Sequence, residues 1–393
     1  MNAMPYQDPA LLSRWQRPAL IVGVIGLLLS IGGVYQNPEQ FYRSYLMSYL
    51  FWAGITLGCL GLLMIQYLTG GAWGVIIRRI LEASTRTLPV VALAFVPILA
   101  GMSHLYEWTH PEVVSHSELL QHKQAYLNIP FFMIRLAIYF LLWFGLVFFL
   151  NRWSTNQDRS PDPRWNRSLI RLSGPGLVVY GLTLTFASVD WVMSLHPEWY
   201  STIFGALIFA GQALTSMAFI LVVIICLSRQ GPLEGVLNPR HFWDLGKFLF
   251  MFVLLWAYLS FSQLLIIWSG NLPEETPWYL SRWHGGWQWV GIALVFFHFA
   301  LPFGLLLSRE LKKNSAKLLA VAIGIFLIRW VDLFWLTAPT FHPSGLKLHW
   351  LDFVAPIGLG GIWLAAFLRQ LKRYPLLPIN DPHLAEALQH GKP

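Results

Sequence analysis

Apolar residues run through this chain in long unbroken stretches, separated by short segments rich in Arg, Lys, Pro and Gly. Ten of these stretches reach about 18–25 residues, the length at which a helix crosses a hydrocarbon core about 30 Å thick. They predict spans at Pro18–Tyr35, Ser44–Leu68, Thr87–Tyr106, Pro130–Leu150, Pro175–Met193, Ser201–Leu227, Phe248–Ser269, Trp287–Leu307, Leu318–Leu336 and Trp350–Leu368. The expected class is an all-α polytopic membrane protein with ten transmembrane helices. Residues 1–17 form an N-terminal segment, 18–369 the membrane domain and 370–393 a C-terminal tail.

Charge orients this bundle. The N-terminus, the even-numbered connections and the tail hold 21 of the 27 Lys/Arg residues and nine of the 19 acids. The odd-numbered connections hold only Arg43, Lys123, Arg282 and Lys347. By the positive-inside rule both termini are expected in the cytoplasm. The net charge of +8 therefore records topology and attraction to a membrane surface, not affinity for nucleic acid.

Composition narrows the chemistry. With 56% hydrophobic and 12% charged residues, the chain has too little polar surface for a soluble protein of 393 residues. Cys59 and Cys226 are the only cysteines and both lie in apolar runs, so no thiolate set for an iron–sulfur cluster or zinc is expected, and no CxxCH for covalent haem. No P-loop, GxGxxG before a helix or HExxH occurs, which argues against a nucleotide-driven pump or a metalloprotease. The first apolar run follows Arg14 and Arg17 without a small-residue cleavage site and reads as a retained helix.

The connections carry some organisation. Thr69–Arg86, "TGGAWGVIIRRILEASTR", combines glycines, an apolar face and arginines, and fits either an interfacial helix or a basic linker. The proline-studded tail from Tyr374 is expected to be extended. A weak repeat marks three span ends: "HLYEWTHPE" from His104, "DWVMSLHPEW" from Asp190 and "DLFWLTAPTFHP" from Asp332. Each joins an acid, a tryptophan and a His-Pro.

Ionisable residues inside apolar spans are the candidates for function, because a charge in lipid is costly and normally faces a partner in the bundle interior. Rising about 1.5 Å per residue, the ninth span puts Arg329 about 18 Å and Asp332 about 22 Å from the cytoplasmic side. Three residues apart, they share a face and can neutralise one another, which is also what a purely structural ion pair does. Asp190 on the fifth span comes out at a similar depth, and Arg135 on the fourth is about 10 Å below the outer surface. His298 falls near the midplane of the eighth span. It could ligate a haem, shuttle protons, bond a quinone carbonyl or simply bond a neighbouring helix. With Gln263, His104, Glu107 and Asp352, the polar groups gather towards the outer face. The inner halves offer only uncharged groups such as Thr183, Gln212, Thr215 and Ser216. The pattern predicts half of a proton path, open to the outside.

Three stretches carry a family resemblance: Asp190–Phe219, Phe261–Trp287 and Arg329–Pro343, the last reading "RWVDLFWLTAPTFHP". The chain resembles the F subunit of bacterial alternative complex III, of the NrfD-like or polysulfide reductase membrane subunit superfamily, over nearly its whole length. The resemblance implies two four-helix bundles plus flanking helices in a bacterial inner membrane. It implies a non-redox subunit of a quinol:cytochrome c oxidoreductase, with a homologous membrane subunit, an iron–sulfur subunit and haem c subunits as partners. No cofactor is bound covalently; the implied small molecules are menaquinone or ubiquinone, and lipid. It also implies a periplasm-facing proton half-channel, carried here onto Arg135, Asp190, His298, Arg329 and Asp332. Two further readings stand beside it. One is a scaffold docking outer subunits through its acidic, His- and Trp-rich loops, notably Trp108–Asn128. The other is a free-standing transporter with a midplane site.

Overall fold

The computed structural model describes residues 9–230 and 233–389. The first eight residues of the N-terminal segment and the last four of the tail lie outside the described residues. Among those described, every regular element is a helix. Ten are long and apolar enough to cross a membrane: α1 (Ala10–Gln36), α2 (Pro38–Thr69), α3 (Arg78–Ala100), α4 (Ile129–Arg159), α5 (Pro163–Leu195), α6 (Phe204–Arg229), α7 (Pro239–Gly270), α8 (Trp287–Leu307), α9 (Ser315–Phe341) and α10 (Leu351–Leu371).

Each span predicted from hydropathy has its helix, but several helices run a turn or more beyond it. Hydropathy registers the apolar layer, whereas caps decide where a helix starts. Asn37, Asn128, Asp162 and Asn238 each accept a backbone N–H through the side chain ahead of a proline in the first turn. Those starts lie in polar sequence that a hydropathy window discards.

The helices α2 and α6 form the centre, with most of their apolar windows covered by protein, while α1 and α8 lie at the periphery. The α2 helix packs on α1, α3, α5, α6, α9 and α10, and α6 on α2, α5, α7 and α9. The helices α7, α8 and α9 also contact one another, and α4 packs along α5. Both ends of the described chain meet at one end of the bundle, where Lys372 Nζ donates to Gln16 Oε1 at 2.6 Å. That end is called the terminal end below.

The α1–α10 pairing is a seam of small residues. A Cβ on Gly361 would stand 2.4 Å from Gly23 N and 2.5 Å from Ala19 O. Only glycine allows backbones this close, as in other small-residue membrane interfaces. Gly361→Leu is expected to pry α1 off α10 and to destabilise the protein by about 1–3 kcal/mol, read as a lower melting temperature in detergent.

Two spans are irregular for the same reason. In α3, Pro89 and Pro97 have no N–H to continue the i→i−4 ladder, and the helix breaks into the segments Arg78–Thr85, Leu88–Ala94 and Val96–Ala100. In α8, Pro302 withholds the N–H that His298 O would accept, and the preceding residues, Val295–Ala300, form a π-helical turn. His298 sits in that turn.

The first turns of α3 correct an expectation. Far from lying on a surface with one apolar face, Arg78–Thr85 is buried on every side. The tail is not simply extended either. Leu376, Leu377 and Ala387 are buried, a short helix spans Leu384–Gln389, and it packs on the helix Ala72–Val75.

Candidate functional site

The buried ionisable residues predicted from sequence fall into separate sites. On α4 and α5, Arg135 grips Asp190 with two parallel bonds, Nε to Oδ2 and Nη2 to Oδ1, both 2.9 Å. Tyr139 Oη donates to the same carboxylate at 2.8 Å, and Arg135 Nη1 donates to Tyr126 O at 2.9 Å. The guanidinium also lies 3.8 Å from the Tyr126 ring centroid. Such a fork satisfies both charges and fixes their orientation. Asp190 is 1% exposed, so this pair has no competing water layer on its acid side.

The second pair lies on α9. Arg329 Nη1 donates to Asp332 Oδ2, the two residues one helical turn apart and both buried. Trp256 of α7 donates its indole N–H to the same oxygen at 3.1 Å. Arg329 reaches α6 where Gly211 leaves room: a Cβ there would stand 2.3 Å from the guanidinium carbon. Any side chain at position 211 would evict the arginine.

His298 is fully buried beside this pair, its ring 4.0 Å from Trp256, centroid to centroid. Neither of its ring nitrogens has a hydrogen-bond partner among the described residues. A buried polar atom without a partner is rare and marks a place where something else must bond.

Asp332 also lines a cavity of about 710 Å³ between α7, α8, α9 and the 271–286 loop. Its mouth opens between Tyr258 and Phe261 of α7 and Ile292 and Val295 of α8, all outward-facing and more than half exposed. Arg282 in the loop forms part of the wall. It donates to Trp278 O at 2.7 Å, Leu336 O at 2.9 Å and Trp335 O at 3.2 Å, and stands 3.6 Å from the Trp278 ring centroid. Burial pulls the Arg282 pKa down to about 9, still above neutral pH, so the group stays cationic. No carboxylate bonds it among the described residues. The Trp335 indole N–H, also lining the cavity, has no acceptor among the described residues.

The remaining predicted residues lie elsewhere. Asp352 accepts from Ser44 Oγ at 2.5 Å, Gln40 Nε2 at 3.1 Å and His349 N at 2.9 Å, tying α10 to α2. Glu107 and His104 are exposed, His104 stacked on Tyr42. Gln263 Oε1 accepts from Ser201 Oγ and its Nε2 donates to Tyr279 Oη. No hydrogen bond among the described residues links Asp190, Asp332 and Asp352, so the outer polar groups are three sites and not one cluster. Of the three repeated span ends, only those at Asp190 and Asp332 place a buried acid.

The terminal end holds what sequence reading missed. Glu82 is fully buried and accepts from Arg78 Nε at 3.0 Å, Arg79 Nη1 at 2.6 Å, Ser154 Oγ at 2.5 Å and Tyr67 Oη at 3.1 Å. Arg79 also pairs with Asp158 of α4, and Arg78 with Asp381 of the tail at 2.5 Å. Asn380 Nδ2 donates to Gln157 O and Asp158 O. The end of the bundle where the termini meet therefore carries buried charges of its own. The signal in the sequence was the spacing of Arg78, Arg79, Glu82 and Arg86, three and four apart on one helix. Asp158 and Asp381, far along the chain, carried none.

Among the described residues, no three His, Cys, Asp or Glu side chains converge as a metal site. Comparison with known proteins adds no family to this arrangement: no protein-family model matches the chain, and no curated protein matches it.

Proposed function

We propose that this chain is a non-redox membrane subunit of a quinol-oxidising complex of the alternative complex III type, and that it provides a proton half-channel. On the positive-inside reading the terminal end is cytoplasmic, so the half-channel opens to the periplasm. The helices α2–α5 and α6–α9 then read as two four-helix bundles flanked by α1 and α10, each with a buried Arg–Asp pair away from the terminal end.

The observation that carries the reading is Asp332: a buried carboxylate held by Arg329 and Trp256 that also borders a large cavity. A proton released within the cavity has Asp332 as its first acceptor. Arg329 holds that carboxylate in place beside the cavity. His298, with two unpartnered nitrogens one aromatic ring away, is the next station through internal water. The Arg135–Asp190 pair serves the other bundle separately, in place of a single path through every acid. The cavity also suits a menaquinol or ubiquinol head, whose oxidation to the quinone would release two protons here and pass two electrons to the redox centres of the partner subunits. The fit rests on Trp278 and Tyr279 as walls and on Arg282 and the unpartnered Trp335 N–H as donors.

Asp332→Asn in the assembled, reconstituted complex is expected to slow proton transfer through this subunit about 100-fold while electrons still pass from quinol to the carrier. An unchanged proton-to-electron ratio assigns the pair to packing.

The scaffold reading has one observation in its favour. The outer 107–128 connection is built of short helices and is pinned to the α5–α6 turn by Lys123 Nζ donating to Pro197 O at 2.5 Å. A held platform of this kind suits docked iron–sulfur and haem subunits. Trimming it would release them without altering the proton ratio of the remaining complexes.

A further inference from the structure

A second groove lies at the terminal end, on the outer side of α4. Phe144, Phe148, Arg152 and Asn156 follow one another at four-residue spacing, so a single helix face passes from aromatic to basic as it leaves the apolar layer. Arg159 continues it one turn on. The facing wall is Arg86 and Pro89 of α3 and Tyr374 just past α10, and the enclosed volume is about 560 Å³.

Charge in this groove is one-sided. Arg86 lies 3.7 Å from the Tyr374 ring centroid and 3.7 Å from Glu82 Oε2. That carboxylate already serves Arg78 and Arg79 at shorter range, which leaves Arg86 weakly compensated. Arg152 and Arg159 are exposed, and no carboxylate pairs with either among the described residues. The Arg152 guanidinium lies 5.6 Å from the Phe148 ring centroid. Beneath them Asn151 is 7% exposed, and its side-chain oxygen accepts no hydrogen bond among the described residues.

From this groove we infer that α3, α4 and Tyr374 bind an anionic glycerophospholipid of the leaflet at the terminal end. The phosphodiester lies between Arg86, Arg152 and Arg159. The acyl chains run down past Phe144 and Phe148, which is 54% exposed where the bundle meets lipid. A neutral zwitterionic lipid would bring its own cation against three arginines, and a free phosphate would leave the aromatic wall unused. Basic pockets between membrane helices select anionic head groups on these grounds.

The test uses the full chain, delipidated in detergent, with retained lipid measured by native mass spectrometry. Phosphatidylglycerol is expected to bind about tenfold or more tighter than phosphatidylcholine. Arg152→Gln/Arg159→Gln should erase that preference, and Arg152→Lys/Arg159→Lys should keep most of it. Both positions are exposed, so the variants fold. Equal retention of the two lipids overturns the assignment, as does an undiminished preference in the glutamine variant. Displacement of phosphatidylglycerol by millimolar inorganic phosphate would make this an ion site and would overturn it too.

Discussion

Glu82→Gln is expected to cost about 3–5 kcal/mol of stability, read as a large fall in melting temperature in detergent. Its carboxylate is the shared acceptor of Arg78 and Arg79, also reached by Ser154 and Tyr67. Glutamine keeps the volume but replaces one acceptor oxygen by an NH₂ that faces donors. The guanidiniums of Arg78, Arg79 and Arg86 are then left with Asp158 and Asp381 alone, one acid short of balance. Because Asp381 belongs to the tail and Asp158 to α4, the loss should spread. The tail segment from Asn380 onward is expected to become protease-sensitive in the variant. A melting temperature within a degree of the parent protein would mean that water reaches these charges.

The second large effect separates structure from chemistry at the Arg135–Asp190 pair. Asp190→Ala leaves a guanidinium uncompensated in a site closed by Tyr126 and Tyr139, at a cost of about 3–5 kcal/mol. Removing both charges, as Arg135→Leu/Asp190→Leu, should recover most of that loss, since an apolar pair of similar volume is often neutral or stabilising in place of a buried ion pair. Thermal melting of the three proteins measures the recovery. Proton uptake by the double variant in the assembled complex then decides the role. A stable double variant with unaltered proton movement would make the pair a packing device, whereas a stable variant with impaired movement would make it part of a path.

Resolving the buried charges depended on how their partners are spaced along the chain. Arg329 and Asp332 were readable as a pair because a helix brings residues three apart onto one face. Arg135 and Asp190 were readable only as two costly residues at similar depth, not as partners, because their fork depends on how α4 lies against α5. Asp352 looked like one of the outer group but turned inward to Ser44 and Gln40, since α10 packs on α2. Glu82 was passed over because the polar Arg-rich stretch around it resembles a surface. It is inside because the tail folds back over it.

The residue order alone determined that this is a ten-span helical membrane protein with its cations concentrated in alternate connections, because transfer into lipid sums over a local window and needs no partner. Tertiary structure decided which charges meet, where His298 is left unpartnered, where a cavity reaches Asp332 and how the tail closes the terminal end. Those outcomes depend on contacts between distant segments, which no local window contains.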